Sequence, residues 1–131
     1  MKQILDAVKD FGKATVSTTY DAAATSVVVS TGHGAKFPDP ASMGPFYLVW
    51  WNSTDYADPS DDPNVEICLC IARATDTLTI IRAQSGTAAS TKNTSAKTYR
   101  LILGPTAALV TSLQQRLMDS ALNNDMLLHY N

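Results

Sequence analysis

Apolar and polar positions alternate along most of this chain, and the alternation gives way to a helical period near its two ends. Residues 13–19, KATVSTT, alternate weakly, and after the turn-like YDAAAT the run SVVVS at 26–30 is β-branched. TGHGAKFPDPASMGP then carries three Gly and three Pro and reads as a loop. Phe46–Asn52, FYLVWWN, is the strongest strand signal. STDYADPSDDPN is a polar, proline-punctuated excursion. VEICLCIA at 65–72 and TLTIIRA at 77–83 flank the short connection RATD, which predicts a hairpin. A Ser/Thr/Ala/Lys/Asn loop over 84–96 leads to a last strand, TYRLIL, at 98–103.

The ends follow another period. Ile4, Leu5, Val8 and Phe11 are spaced as on a helix, with Gly12 placed to stop it, so 2–11 reads as a short amphipathic helix or as an arm that orders against a neighbour. Gly104-Pro105 ends the β pattern, and Pro105 suits a first helical turn. Beyond it there is no Gly or Pro, and one long helix is predicted over 106–129. Val110, Leu113, Leu117 and Leu127 fall on heptad positions, interrupted by Ser120 and Asn124. A polar residue at such a position costs stability and can set register in a coiled coil. A helix lying on its own β-domain satisfies the same pattern. The chain is therefore expected to be mainly β: a small antiparallel β-barrel or sandwich of about six strands in meander order over 13–104, with a helix or arm over 1–12 and a long helix over 105–131.

Composition narrows the function. At 131 residues one domain is expected. Only 17% of residues are charged, below the ~25% usual for soluble chains, so uncharged polar residues must cover much of the surface. Such a surface suits a protein that packs against copies of itself, and equally a binding module. Ten basic against twelve acidic residues form no basic stripe, so no nucleic acid is expected. No apolar run is long enough for a bilayer, and the N-terminus, with Asp6 and Asp10, does not read as a secretory leader. Cys68 and Cys70 point to one face of a strand, too strained to bridge, and read as small buried apolar groups.

Catalytic templates find no purchase: neither G-x-S-x-G nor G-x-x-x-x-G-K-[ST] occurs, so no catalytic residue, metal or cofactor is expected. Asp55, Asp58, Asp61 and Asp62 raise calcium, but the D-x-D-x-D-G spacing is missing, and Asx turns in a solvated loop account for them. His33 lies between two glycines without a partner nucleophile and reads as a surface turn. Trp50 and Trp51 occupy opposite faces of one strand, so one should be core and the other outward. An outward Trp beside Tyr56 could anchor an interface or stack on a sugar.

Thr77, Thr79 and Ile81 share one strand face; Leu78, Ile80 and Arg82 share the other. A guanidinium at the end of an apolar face should bind carbonyls or a carboxylate, and Glu66 on the neighbouring hairpin strand is the expected partner. Gly86 lets the chain reverse and Gln84 can bond loop backbone, so Arg82, Gln84, Gly86, Thr87 and Glu66 are expected to clamp a loop, within one subunit or between two.

That segment, LTIIRAQSGTAAS followed by TYRLIL, resembles a recurring unit of tailed-bacteriophage structural proteins: an alternating strand, then R-x-Q-x-G-T-x-A, then small residues and a closing apolar strand. The FPDP loop, PFYLVWW and EICLCIARATDTLTI upstream resemble the same units, so the likeness spans 15–103 and is carried chiefly by Arg82, Gln84, Gly86 and Thr87. The resemblance implies a non-enzymatic virion building block, of the tail, baseplate, fibre or head-accessory kind. Such a subunit is made in the host cytoplasm and attaches to capsid, neck or tail, which it decorates or furnishes with a fibre anchor. A homotrimer is expected, with Trp50, Trp51, Tyr56, Val110, Leu113, Leu117, Asn124 and Leu127 as interface candidates. A carbohydrate-binding module that takes a glycan on its exposed Trp and Tyr is the alternative.

Overall fold

The computed structural model describes residue 9, residues 12–94 and 96–103, and the helix 107–129, whose side chains are described at 110, 111 and 113–122. The chain is mainly β. Its strands are β1 (Lys13–Val16), β2 (Ser26–Val28), β3 (Phe46–Asn52), β4 (Glu66–Ala74), β5 (Thr77–Gln84) and β6 (Tyr99–Ile102). They form one six-stranded antiparallel sheet in the order β1-β6-β3-β4-β5-β2, curled into a half-barrel. Helix α1 (Pro40–Met43) lies in the β2–β3 connection, and α2 (Ala107–His129) follows β6. The helix expected over 2–11 lies outside the described residues except for Lys9, whose ammonium donates to the Ala35 carbonyl at 2.8 Å.

Two expectations are corrected. One curled sheet replaces the sandwich, and only β3-β4-β5 run as a meander. β3 is apolar on both faces and takes a neighbour on each side, β4 and β6; the long loop after β5 carries the chain across to β6. β1 and β2, early in the chain, become the two edges.

Alternation decides which side chains fill the concave side. Val16, Val27, Leu48, Trp50, Cys68, Cys70, Leu78, Ile80 and Leu101 are fully or almost fully buried there, and Phe37 and Phe46 stack with centroids 5.8 Å apart. Curling brings the edges together. The Ser30 amide just after β2 donates to the Thr15 carbonyl of β1 at 2.9 Å, and the Thr15 amide donates to His33 Nδ1 at 3.0 Å. The Val28 amide donates to the Tyr20 hydroxyl at 2.9 Å, so side chains occupy edge groups that would otherwise invite another strand.

The β4–β5 hairpin turns at Thr75-Asp76, tighter than RATD implies, because Arg73 and Ala74 stay in the ladder. Asp76 accepts from the amides of Gly32 (3.1 Å) and Gly34 (2.9 Å) and so ties the β2–β3 loop to the hairpin tip. The approach is close: a Cβ on Gly34 would lie 1.9 Å from the Thr75 carbonyl oxygen.

Candidate functional site: a buried ionic clamp

Register slips in the β4–β5 ladder, one of them between the pairs Ile67↔Gln84 and Leu69↔Ile81. The extra residue is Ala83, with φ at 56°, and the kink turns its amide away from the ladder. That amide donates to Glu66 Oε2 at 3.0 Å. Glu66 shares the concave face with Cys68 and Cys70 and is completely buried. Arg82, on the concave face of β5, meets it as a fork: Nε to Oε2 at 2.6 Å and Nη2 to Oε1 at 2.9 Å.

The other guanidinium donors reach two loops. Nη1 donates to the carbonyls of Asp21 (2.8 Å) and Ala24 (3.0 Å), and Nη2 to that of Ser90 (2.8 Å). All five N–H donors of the side chain are thus engaged, and it is only 7% exposed. Lys92 completes the cluster from the loop before β6. Its ammonium, also buried, donates to the Asn64 carbonyl (2.7 Å) and Ser90 Oγ (2.9 Å) and stands 3.5 Å from Glu66 Oε1. Both cations lie over the Trp50 ring, the guanidinium carbon 5.0 Å and the ammonium 5.9 Å from its centroid.

Electrostatics follow from this crowding. Burial alone would raise the Glu66 carboxyl, but the Arg82 hydrogen bonds, the Ala83 amide and the two nearby cations outweigh it and hold the group below the ordinary glutamate value. Burial lowers the Lys92 ammonium, against the opposing pull of Glu66. Cys68, with Sγ 3.5 Å from Glu66 Oε2, is pushed up to about 12 by burial and then by the neighbouring carboxylate. A thiol that reluctant to ionise is no nucleophile at neutral pH, and a carboxylate this well satisfied is no proton donor. What the arrangement does is hold the turn before β2, the β3–β4 loop and the loop after β5 against one strand pair.

Gln84 and Thr87 shape the turn that leaves β5. Gln84 Nε2 donates to the Arg82 carbonyl at 3.1 Å, while the Thr87 hydroxyl donates to the Gln84 carbonyl at 2.7 Å and accepts from the Ile67 amide at 3.0 Å. Ser85 and Gly86 are left-handed, at φ 54° and 80°. Glu66, Arg82, Gln84, Gly86 and Thr87 are therefore brought together. Lys92 was not legible, because a lysine among Ser, Thr and Asn looks solvent-facing. The available signal was Glu66 itself: its place in the Glu66-Cys68-Cys70 face required burial, and a buried carboxylate calls for more than one donor.

The aromatic expectations are corrected. Trp50 and Trp51 are both buried, so neither is an outward platform for sugar or partner. They do face opposite sides of β3, but the 53–64 loop folds back over Trp51. Its Nε1 donates to the Tyr56 carbonyl at 3.0 Å, and the Asn52 amide donates to Asp62 Oδ2 at 2.8 Å. Tyr56 is half-buried within that loop. Asp58 and Asp62 serve the loop's own backbone, accepting from the Ser60 and Asn64 amides, while Asp55 pairs with Lys97. Among the described residues no group of His, Cys, Asp and Glu could hold a metal ion, and no helix is long and apolar enough to cross a membrane. Val110, Leu113 and Leu117 are exposed on α2; the side chains of Asn124 and Leu127 lie outside the described residues. Neither a family model nor a curated protein matches the chain.

Proposed function

We propose that this chain is a non-enzymatic structural subunit of a tailed-bacteriophage virion, an accessory or adaptor that attaches to capsid, neck or tail and decorates it or anchors a fibre. The observation that carries this reading is the five-donor engagement of Arg82. In the segment that resembles phage structural units, the arginine is committed to Glu66 and to loop carbonyls, which is the chemistry of a scaffold that must keep its loops fixed. The clamp lies within one subunit. Self-association through the long C-terminal helix, as a homotrimer, belongs to the same proposal: exposed Val110, Leu113 and Leu117 need a partner surface. The test is where the protein ends up in an infected culture. Mass spectrometry of density-purified particles should find it at a fixed copy number, resistant to high-salt washing. Recovery only in the soluble lysate, with particles complete without it, would overturn the reading.

A further inference from the structure

A histidine side chain closes the seam of the half-barrel. β1 pairs with β6 along one side, and the Thr15 amide and carbonyl are turned to the other. The Ser30 amide takes the carbonyl at 2.9 Å. The Thr15 amide donates not to a carbonyl but to His33 Nδ1, at 3.0 Å. A backbone amide can only donate, so Nδ1 presents its lone pair and the neutral ring carries its proton on Nε2. A protonated ring has a hydrogen on both nitrogens and nothing with which to accept. Imidazole is the side chain whose charge ordinarily changes between about pH 5 and 8.

The ring is mounted on a fixed backbone. His33 opens the short 3-10 turn His33–Lys36. Three successive amides are pinned there: Gly32 to Asp76 Oδ2 at 3.1 Å, His33 to the Ser30 carbonyl at 2.9 Å and Gly34 to Asp76 Oδ1 at 2.9 Å. Asp76 is thus an anion beside the ring, and the charges of the two attract. The Gly34 and Gly32 amides hold its carboxyl below the ordinary aspartate value, so it stays ionised where imidazoles titrate. The other charged groups on the elements around the seam are cations. They are Lys9, which donates to the Ala35 carbonyl, Lys13 on β1, Lys36 on the same turn, Arg73 on β4 and Arg100, the β6 partner of Thr15.

We infer that His33 is a pH-sensitive latch: protonation of Nδ1 releases the Thr15 amide and loosens the seam between β1 and the β2–β3 loop, while Asp76 keeps the imidazolium on its own loop. With the latch open β1 retains its pairing with β6, and its outer edge is freed. The inference stands on the geometry of the seam and is independent of the virion reading.

Nitrogen-15 NMR of the full-length chain tests it. At about pH 8 the His33 ring should show Nδ1 as its unprotonated nitrogen. Between about pH 8 and 5 the protection factor of the Thr15 amide, corrected for intrinsic exchange, should fall at least tenfold, while amides of the β3–β4 ladder keep theirs. His33→Asn offers an oxygen at similar reach that does not titrate, so its Thr15 amide should be equally protected at both ends of the range. A proton on Nδ1 at the alkaline end overturns the inference. So does unchanged Thr15 protection in the wild type, an equal fall in His33→Asn, or a loss shared by the whole β3–β4 ladder. The wild-type spectra decide the matter even where the variant does not fold.

Discussion

A guanidinium with every donor engaged cannot be exchanged for an ammonium without loss. Lysine at position 82 could keep the charge beside Glu66 but not the planar fork or the reach to the Asp21, Ala24 and Ser90 carbonyls. Arg82→Lys should therefore cost about 1.5–3 kcal/mol in denaturant unfolding, the scale of a hydrogen bond to a charged group. Glu66→Ala should cost more, about 3–5 kcal/mol, because it strands two buried cations. The same carboxylate makes stability depend on pH. Its folded value is depressed below the ordinary glutamate value, so the stability it contributes is fully present above that ordinary value and is lost as pH falls through the folded one. Urea midpoints measured across pH 6 to about 2 should fall in that acid window, and Glu66→Gln should remove the Glu66 share of the slope. A midpoint equally acid-sensitive in wild type and variant would detach the effect from this group.

At the scale of elements, the strands were legible because one or both faces are apolar at period two. β3 occupies the same Phe46–Asn52 range as its sequence signal, and β5 the expected run extended to Gln84. The sheet order was not legible, because no local pattern records that β6 inserts between β1 and β3. Nor was the cover on Trp51: alternation says which way a side chain points, not whether a distant loop returns over it. The clamp was half visible. Period two put Arg82 at the end of an apolar face and nominated Glu66, yet the bulge at Ala83 and the burial of Lys92 depend on tertiary register. Two glycines separate these levels further. Gly86 is left-handed with open space at its Cβ position, so Gly86→Ala should cost only about 1–2 kcal/mol, the backbone penalty. Gly34 has a backbone oxygen where the Cβ must go, so Gly34→Ala forces the Asp76 turn away and should cost about 4 kcal/mol or more. Equal thermal shifts for the two variants would show that the close approach at Gly34 relaxes freely.

At the scale of the whole molecule, the core and the helix are separable. Every buried residue of the described core cluster lies between Ala14 and Leu101, and the described apolar side chains of α2 are exposed. A chain truncated after Gly104 should then keep its sheet, its clamp and its near-ultraviolet signal from the two buried tryptophans. It should lose self-association. Association binds the folded state and not the unfolded one, so it raises the melting temperature as protein concentration rises. The full chain should show that dependence and a mass above the monomer. The truncated chain should melt at one temperature across a hundredfold range of concentration and sediment as a monomer. If truncation leaves both the oligomer mass and the concentration dependence intact, the contact between copies lies on the sheet alone and the helix serves another purpose. If truncation instead abolishes cooperative melting at every concentration, α2 supports its own domain, and the exposed stripe of Val110, Leu113 and Leu117 is not an assembly surface.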